Sequence, residues 1–485
     1  MRIDAYVCVQ FQMKKQLSYS IFIPVFSLLI LMSIWSSQSG CANASPPVGG
    51  PRDSLPPVLM AARPANISTN FTGKKIILQF NEYVQLQDVT KNLLVTPTPK
   101  INPTVEGRLR TVTITLKDTL EPNTTYTIDF GDAIRDVNES NPMRNFSYTF
   151  STGAYIDSLT LSGKVILAEN GKTDSTLVAM LYTNGDDSTA YKERARYVTR
   201  LDKEGRFQFR NLPDQTFYLY VLKDESGLRR YLNRTQLFGF ASKPVKPSSS
   251  PEAGTIYAYA EKEPPKKTTA PRATAGRNAV ADKRLRLESN LQSGEQDLLK
   301  NLEFSFKSAP LKFLDSSKVQ FVDENKQPIR NYTFQLDSTR TRITLKHEWK
   351  ENSLYYLIVD KEFAEDTAGR KPVKNDTLMF RTRKESSYGL IRLRFPNLDL
   401  TKNPVLLFVQ NDEIVYSHVF TTKAFTAKLF QPGEYELRVL YDTNKNKQWD
   451  PGNFFGERRQ PEIVVPVNRK LTVKANWDNE VDINL

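Results

Sequence analysis

The stretch Thr113-Ile114-Thr115-Leu116-Lys117, followed by Leu120 and Asn123-Thr124-Thr125-Tyr126 and closed by Phe150-Ser151-Thr152, is written twice in this chain. It returns as Arg342-Ile343-Thr344-Leu345-Lys346, Trp349, Asn352-Ser353-Leu354-Tyr355 and Phe380-Arg381-Thr382. A second pair of segments keeps the same order. Tyr218-Leu219-Tyr220-Val221-Leu222-Lys223-Asp224 is answered by Glu436-Leu437-Arg438-Val439-Leu440-Tyr441-Asp442. The chain is therefore a tandem duplication of a two-module unit, and arrays built this way usually hold, space or bind partners rather than do chemistry.

Around these segments the apolar residues alternate or come in short runs separated by turn formers, as in Ile76-Ile77-Leu78-Gln79-Phe80 and Tyr126-Thr127-Ile128-Asp129-Phe130. That spacing, without an amphipathic helix between the runs, predicts an all-β chain of β-sandwiches. The modules are expected at residues 57–153, 156–262, 283–384 and 388–485, in A-B-A-B order. The last of them is read through Val405-Leu406-Leu407-Phe408-Val409, with Lys470-Leu471-Thr472-Val473 as the terminal strand. Residues 263–282 carry Pro264, Pro265 and Pro271 among Lys266, Lys267, Arg272 and Arg277, the composition of a solvated basic linker. The halves on either side of about residue 270 are expected to fold independently, with proteases cutting first between Lys266 and Arg277.

The first module resembles the bacterial Ig-like domain of S-layer and other cell-envelope proteins. The likeness rests on Pro56-Pro57, Phe80-Asn81-Glu82, Leu120-Glu121-Pro122-Asn123-Thr124-Thr125-Tyr126, Asp136-Val137-Asn138 and Phe150-Ser151-Thr152-Gly153. The second module resembles the transthyretin-like, carboxypeptidase-regulatory-like sandwich. Its likeness lies in Asp202-Lys203-Glu204-Gly205-Arg206-Phe207-Gln208-Phe209, Asn211-Leu212-Pro213 and Phe217-Tyr218-Leu219-Tyr220-Val221. These resemblances imply fold and an envelope setting, with spacer or sugar-binding roles; one sandwich hosts many functions. In the second Ig-like copy the turns have drifted: Lys307-Ser308 replaces Asn81-Glu82, and His347 replaces Asp118. Strands kept and turns changed imply that the copies share fold rather than a site.

The beginning of the chain supplies an address. Met13-Lys14-Lys15 precedes the apolar run from Ile21 to Trp35, which ends at Gln38-Ser39-Gly40-Cys41. This resembles a bacterial lipoprotein signal, implying cleavage before Cys41 and lipid on its thiol, although Gln38 departs from the usual aliphatic residue. Residues 1–40 are then the signal peptide, with Met13 as the expected start. An uncleaved anchor would need about 20 apolar residues, more than this run offers. If Met13 is the start, Cys41 is the only remaining thiol, so no intramolecular disulfide forms and the modules hold by core burial. Residues 41–56, with Pro46, Pro47, Gly49, Gly50, Pro51, Pro56 and Pro57 at its end, form an extended tether.

Charge excludes little. The 67 Lys and Arg exceed the 54 Asp and Glu by 13, with both signs interspersed. That fits a solvated surface near anionic envelope material, and export argues against a nucleic-acid partner. No zinc-protease spacing, Gly-x-Ser-x-Gly elbow, phosphate-binding Gly loop or Cys-His pair occurs, and of the two histidines His418 sits in an alternating strand with a structural role expected. A non-enzymatic protein is expected. Asp53-Ser54-Leu55, Asp118-Thr119-Leu120, Asp157-Ser158-Leu159, Asp366-Thr367-Ala368 and Asp376-Thr377-Leu378 resemble O-glycosylation sites of some envelope bacteria, though Asp-Ser/Thr is also ordinary turn chemistry.

One loop carries a ligand pattern. Asp442, Asn444, Asn446 and Asp450 place oxygen side chains at positions 1, 3, 5 and 9, with the Gln448 carbonyl at position 7, as in the first part of an EF-hand-type calcium loop. Lys447 stands where Gly is wanted, and Asn453 where Glu should close the shell. The first copy has only Asp224-Glu225-Ser226-Gly227, so the fold does not need calcium; the competing reading is an Asn/Asp loop bonded to its own backbone. The function expected is a lipid-anchored structural or binding scaffold of the outer membrane, periplasmic rather than surface-facing, with a glycan, cell wall or envelope protein as partner. The alternatives are a glycan-binding accessory of a carbohydrate-degrading system and a calcium-dependent adhesin.

Overall fold

The computed structural model describes residues 52–249, 252–261, 284–306 and 309–485, together with Ser27, Leu28 and Met32. Cys41, nearly all of the signal, most of the tether, residues 263–282 and the Lys307-Ser308 pair lie outside the described residues. The chain is all-β, as expected, with helix among the described residues limited to single turns such as Val89–Asn92. No helix among them is long and apolar enough to cross a membrane.

In the first sandwich, Thr111–Thr115 lies between Lys75–Phe80 and Thr104–Arg108, with Leu59–Arg63 at one edge. The facing sheet runs Leu94–Thr96, Thr125–Asp129, Ser147–Ser151. Lys75–Phe80 alternates exposed and buried along its length, which sends Ile76, Leu78 and Phe80 into a core with Ile114, Ile128 and Phe150. Each such side chain contributes about 1.5–3 kcal/mol by burial. The third sandwich repeats the plan: Arg342–Lys346 lies between Leu302–Ser305 and Thr333–Leu336, facing the sheet that contains Leu354–Val359. The turn substitution between the copies is conservative in function. Asp118 accepts the Lys100 N–H at 2.6 Å, whereas His347 donates from Nδ1 to the Asn331 carbonyl at 3.1 Å, each pinning the preceding loop.

The second and fourth sandwiches also share one plan. A three-stranded sheet holds the first strand of each at its centre, Leu159–Leu167 or Gly389–Arg394, with the last strand parallel beside it. The four-stranded sheets run Tyr197–Arg200, Val178–Tyr182, Tyr218–Leu222, Phe238–Phe240 and, correspondingly, Glu413–Val419, Pro404–Gln410, Gly433–Tyr441, Ile463–Val473. One strand differs from expectation. Lys470-Leu471-Thr472-Val473 closes the long strand Ile463–Val473, and the terminal strand is Asp478–Asp482. That segment is mostly polar, and only its parallel pairing with Gly389–Arg394 makes it a strand.

The larger difference concerns the halves. In Val178–Tyr182, Ala179 and Leu181 point into the module's own core, while Met180 and Tyr182 point out of it. In Pro404–Gln410, Leu406 and Phe408 point inward, and Val405, Leu407 and Val409 point out. These two outward faces meet. Met180, Tyr182, Tyr220, Leu222 and Phe238 share one buried cluster with Val405, Leu407, Val409, Leu440 and Val464. Each of these sandwiches keeps a core of its own, and this common cluster packs the two halves against one another. Both strands read as unbroken apolar runs because both of their faces are buried, a pattern more usual in sheets covered on two sides.

Candidate functional site

The loop singled out by its ligand spacing lies at the rim of this shared core. It leaves the end of Gly433–Tyr441 and returns into Ile463–Val473. Asp442, only 2% exposed, accepts the N–H of Asn446 at 3.2 Å through Oδ1 and that of Lys447 at 2.7 Å through Oδ2. Asn444 and Asn446 each accept a backbone N–H two residues on, at 3.1 and 2.7 Å. Their amide groups donate to Asp450 Oδ2 at 2.7 and 2.6 Å. Asp442, Asn444, Asn446 and Asp450 are therefore brought together, bonded to one another and to the loop backbone. Gln448 enters through its backbone N–H. Lys447 adopts the left-handed conformation, with φ of 65°, so the turn expected to need Gly is made without one.

Sequence reasoning missed Glu462. Its carboxylate accepts the Thr443 N–H at 2.7 Å and the Asp450 N–H at 3.1 Å, and its carbonyl accepts the Trp449 indole N–H at 2.8 Å. Burial pushes its carboxyl above the usual Glu range; the two N–H bonds oppose this, while the negative charges of Asp442 and Asp450 add to it. Nothing in the sequence separates Glu462 from other acids that precede a strand. Among the described residues, no group of three or more His, Cys, Asp or Glu is arranged to hold a metal ion.

What the loop presents is aromatic. Phe454 is fully buried against the rings of Tyr220, Phe238 and Phe240 at 5.4, 4.9 and 5.3 Å between centroids. Phe455 stacks on Tyr231 at 5.6 Å. Arg458 pairs with Asp187 at 3.2 Å and lies over the ring of Phe240, and Gln460 donates to the Phe240 carbonyl at 3.0 Å. Gly452 admits the ring of Tyr259, where a Cβ would come within 2.6 Å of Cζ. The self-bonded loop thus acts as a rigid arm that locks the fourth sandwich onto the second.

The other sequence candidates have structural surroundings. His347 is packed among Phe321, Trp349 and Tyr355. His418 lies against Phe420 and Phe425, and desolvation lowers its pKa. An open groove of about 660 Å³ separates the first and second sandwiches, lined by Asp129, Arg200, Arg206 and Arg210 among others. Its cations are already engaged. Arg200 pairs with Asp129 at 2.7 Å and donates to the Asn92 carbonyl, Arg206 pairs with Asp202, and Arg210 donates to Gln208.

Residues 53–152 match the bacterial Ig-like domain family, in agreement with the sandwich found there. No curated protein matches the chain. Solved structures with a similar course include the Bacillus anthracis TIE protein (11% identity, 90% of this chain and 76% of that one, TM-score 0.17). The major pilin BcpA of Bacillus cereus follows at 9% identity, covering 68% and 99% with a TM-score of 0.17. The N-terminal part of the bacterial S-layer protein SbsC has 15% identity, 43% and 45% coverage and a TM-score of 0.15. Superposition this poor carries no argument about function.

Proposed function

We propose that this protein is a non-enzymatic scaffold of the cell envelope, exported and lipid-anchored to the outer membrane through Cys41, and presenting its sandwiches on the periplasmic side to a glycan, the cell wall or an envelope protein. The observation that carries the scaffold reading is the core shared by the second and fourth sandwiches, which makes one block of the two halves. A spacer or docking platform requires such fixed geometry; a string of independent binding beads does not. The Ig-like match at residues 53–152 supports the envelope setting. The glycan-accessory alternative is weakened by the inter-module groove, where Arg200 and Arg206 are ion-paired within the chain and Arg210 is hydrogen-bonded to Gln208.

Replacing Cys41 by Ala tests the anchor. The precursor should stay uncleaved and leave the detergent-extracted membrane fraction, and unchanged membrane retention would reject lipid attachment. Protease shaving of intact cells tests the face, because rapid loss of the protein would place it outside.

A further inference from the structure

The duplicated sandwiches differ at one edge. In the second sandwich the terminal strand of the four-stranded sheet, Tyr197–Arg200, is covered by the Ig-like module before it. Thr98 N–H donates to the Arg196 carbonyl at 2.7 Å, Leu94 joins Val198 in one apolar cluster, and Arg196 pairs with Glu121 at 2.6 Å. The corresponding strand of the fourth sandwich, Glu413–Val419, has no such cover among the described residues, and Ile414, Val415, Tyr416 and Val419 are 58, 50, 43 and 37% exposed. The strand of the third module that would repeat the cover, Val319–Asp323, is instead closed by its own turn: Ile329 N–H donates to the Phe321 carbonyl at 2.9 Å and Asp323 N–H to that of Gln327 at 3.0 Å.

We propose that Glu413–Val419 is an interaction edge whose occupant is the same strand of a second copy of this chain. Natural sheets blunt exposed edges with charge, proline, bulges or very short strands, and of these Glu413–Val419 has a bulge near its beginning. This one has seven residues, no proline and a single charge, Glu413 at its beginning. The part in regular register with Pro404–Gln410 is Tyr416–Val419, beyond the bulge that displaces Val415. Antiparallel pairing of Tyr-Ser-His-Val with its symmetry mate sets no two charges opposite each other in any register, so the edge is compatible with the self-complementary contact that a two-fold dimer requires. The contact would also extend an existing apolar surface. Val419 and Ser417 pair across the strand with Val405 and Leu407, which are 1% and 3% exposed within the shared core. The opposite edge of the same sheet, Ile463–Val473, carries Pro466, Arg469 and Lys470 and is closed to such pairing.

Sedimentation equilibrium of the full chain in density-matched detergent, over about 1–100 µM, a range suited to a small edge contact, provides the test. A reversible dimer is expected. A Val415→Lys, Val419→Lys double variant should be monomeric with an unchanged circular dichroism spectrum, and Phe313→Lys, at an exposed apolar residue elsewhere, should dimerise as the native chain does. A native chain that stays monomeric throughout, or a dimer indifferent to the lysine pair, would overturn the proposal.

Discussion

Phe454 meets Phe238 edge to face, 4.9 Å between ring centroids, although the two lie in different halves of the chain on opposite sides of the basic linker. Around this contact the outer faces of the second and fourth sandwiches pack into one cluster. The relation also converts a loop that reads as a candidate metal site into the arm that carries a docking residue.

Removing Phe454 should therefore loosen the halves. Phe454→Ala is expected to cost about 3–5 kcal/mol, the usual range for a buried Phe. In a double-mutant cycle with Phe238→Ala, chemical denaturation should return a coupling of about 0.5–1.5 kcal/mol. Additive losses would mean that the two rings do not touch in solution.

Close approach at Gly452 predicts a steric effect. Gly452→Ala would drive its Cβ into the Tyr259 ring and should destabilise the chain by about 1–3 kcal/mol, as overpacking does. Tyr259→Leu should recover part of that loss. If Gly452→Ala melts as the native chain does, the closeness of the two halves at this point is refuted.

Proteolysis gives a test of the shared core as a whole. The composition of residues 263–282 directs the first cut there, between Lys266 and Arg277. Once nicked, the two fragments should still co-elute under native conditions and separate only in denaturant, because the apolar cluster outlasts the covalent link. Two fragments that part at once in native buffer would contradict the structure.

Two acids should respond to pH with opposite sign. Burial alone would raise the Asp366 carboxyl, but the Arg370 N–H and guanidinium, the latter at 2.7 Å, and the Ala368 N–H outweigh it and hold the pKa below the usual Asp value. Its folded pKa is lower than its unfolded one, so its contribution is complete above about pH 4 and is lost as pH falls through the folded pKa. Asp366→Asn should cost about 3 kcal/mol at pH 7, with the gap to native closing in acid. Glu462 is raised, so its contribution is present below about pH 4.3 and fades as pH rises through its folded pKa. Glu462→Gln should gain on the native chain as pH rises above about 4.3. Urea unfolding across this range reads both, and parallel trends for the two variants would refute the assignment.

Calcium at Asp442, Asn444, Asn446, Gln448 and Asp450 is a proposal that rests on the closeness of Asp442, Asn444, Asn446 and Asp450, whose side chains are bonded within the loop and would exchange those bonds for the cation. A ligand that binds only the folded state must raise the thermal midpoint. Melts of the full chain in millimolar calcium should then exceed those in chelator. Coincident curves would leave the loop as a purely self-bonded arm.

The Ig-like sandwiches were legible because their strands alternate: Lys75–Phe80 and Arg342–Lys346 announce one buried face each, and their repetition gives the order of modules. The ligand-spaced loop was legible as a cluster, since Asp and Asn side chains bond locally and local contacts follow sequence spacing. Glu462 was not, because its bonds to Thr443 and Asp450 close only when the following strand returns beside the loop.

Sequence alone determined that the chain is a duplicated, all-β array and that it lacks the spaced motifs of familiar catalytic sites. Those properties are periodic or local, and so survive in one dimension. Only the tertiary structure decided that Met180, Tyr182 and Tyr220 meet Val405, Leu407 and Phe454, and that Glu413–Val419 is left bare where Tyr197–Arg200 is covered. An apolar run reveals that two faces are buried. What buries the second face depends on surfaces brought together from distant parts of the chain, and that information is not carried by any single segment.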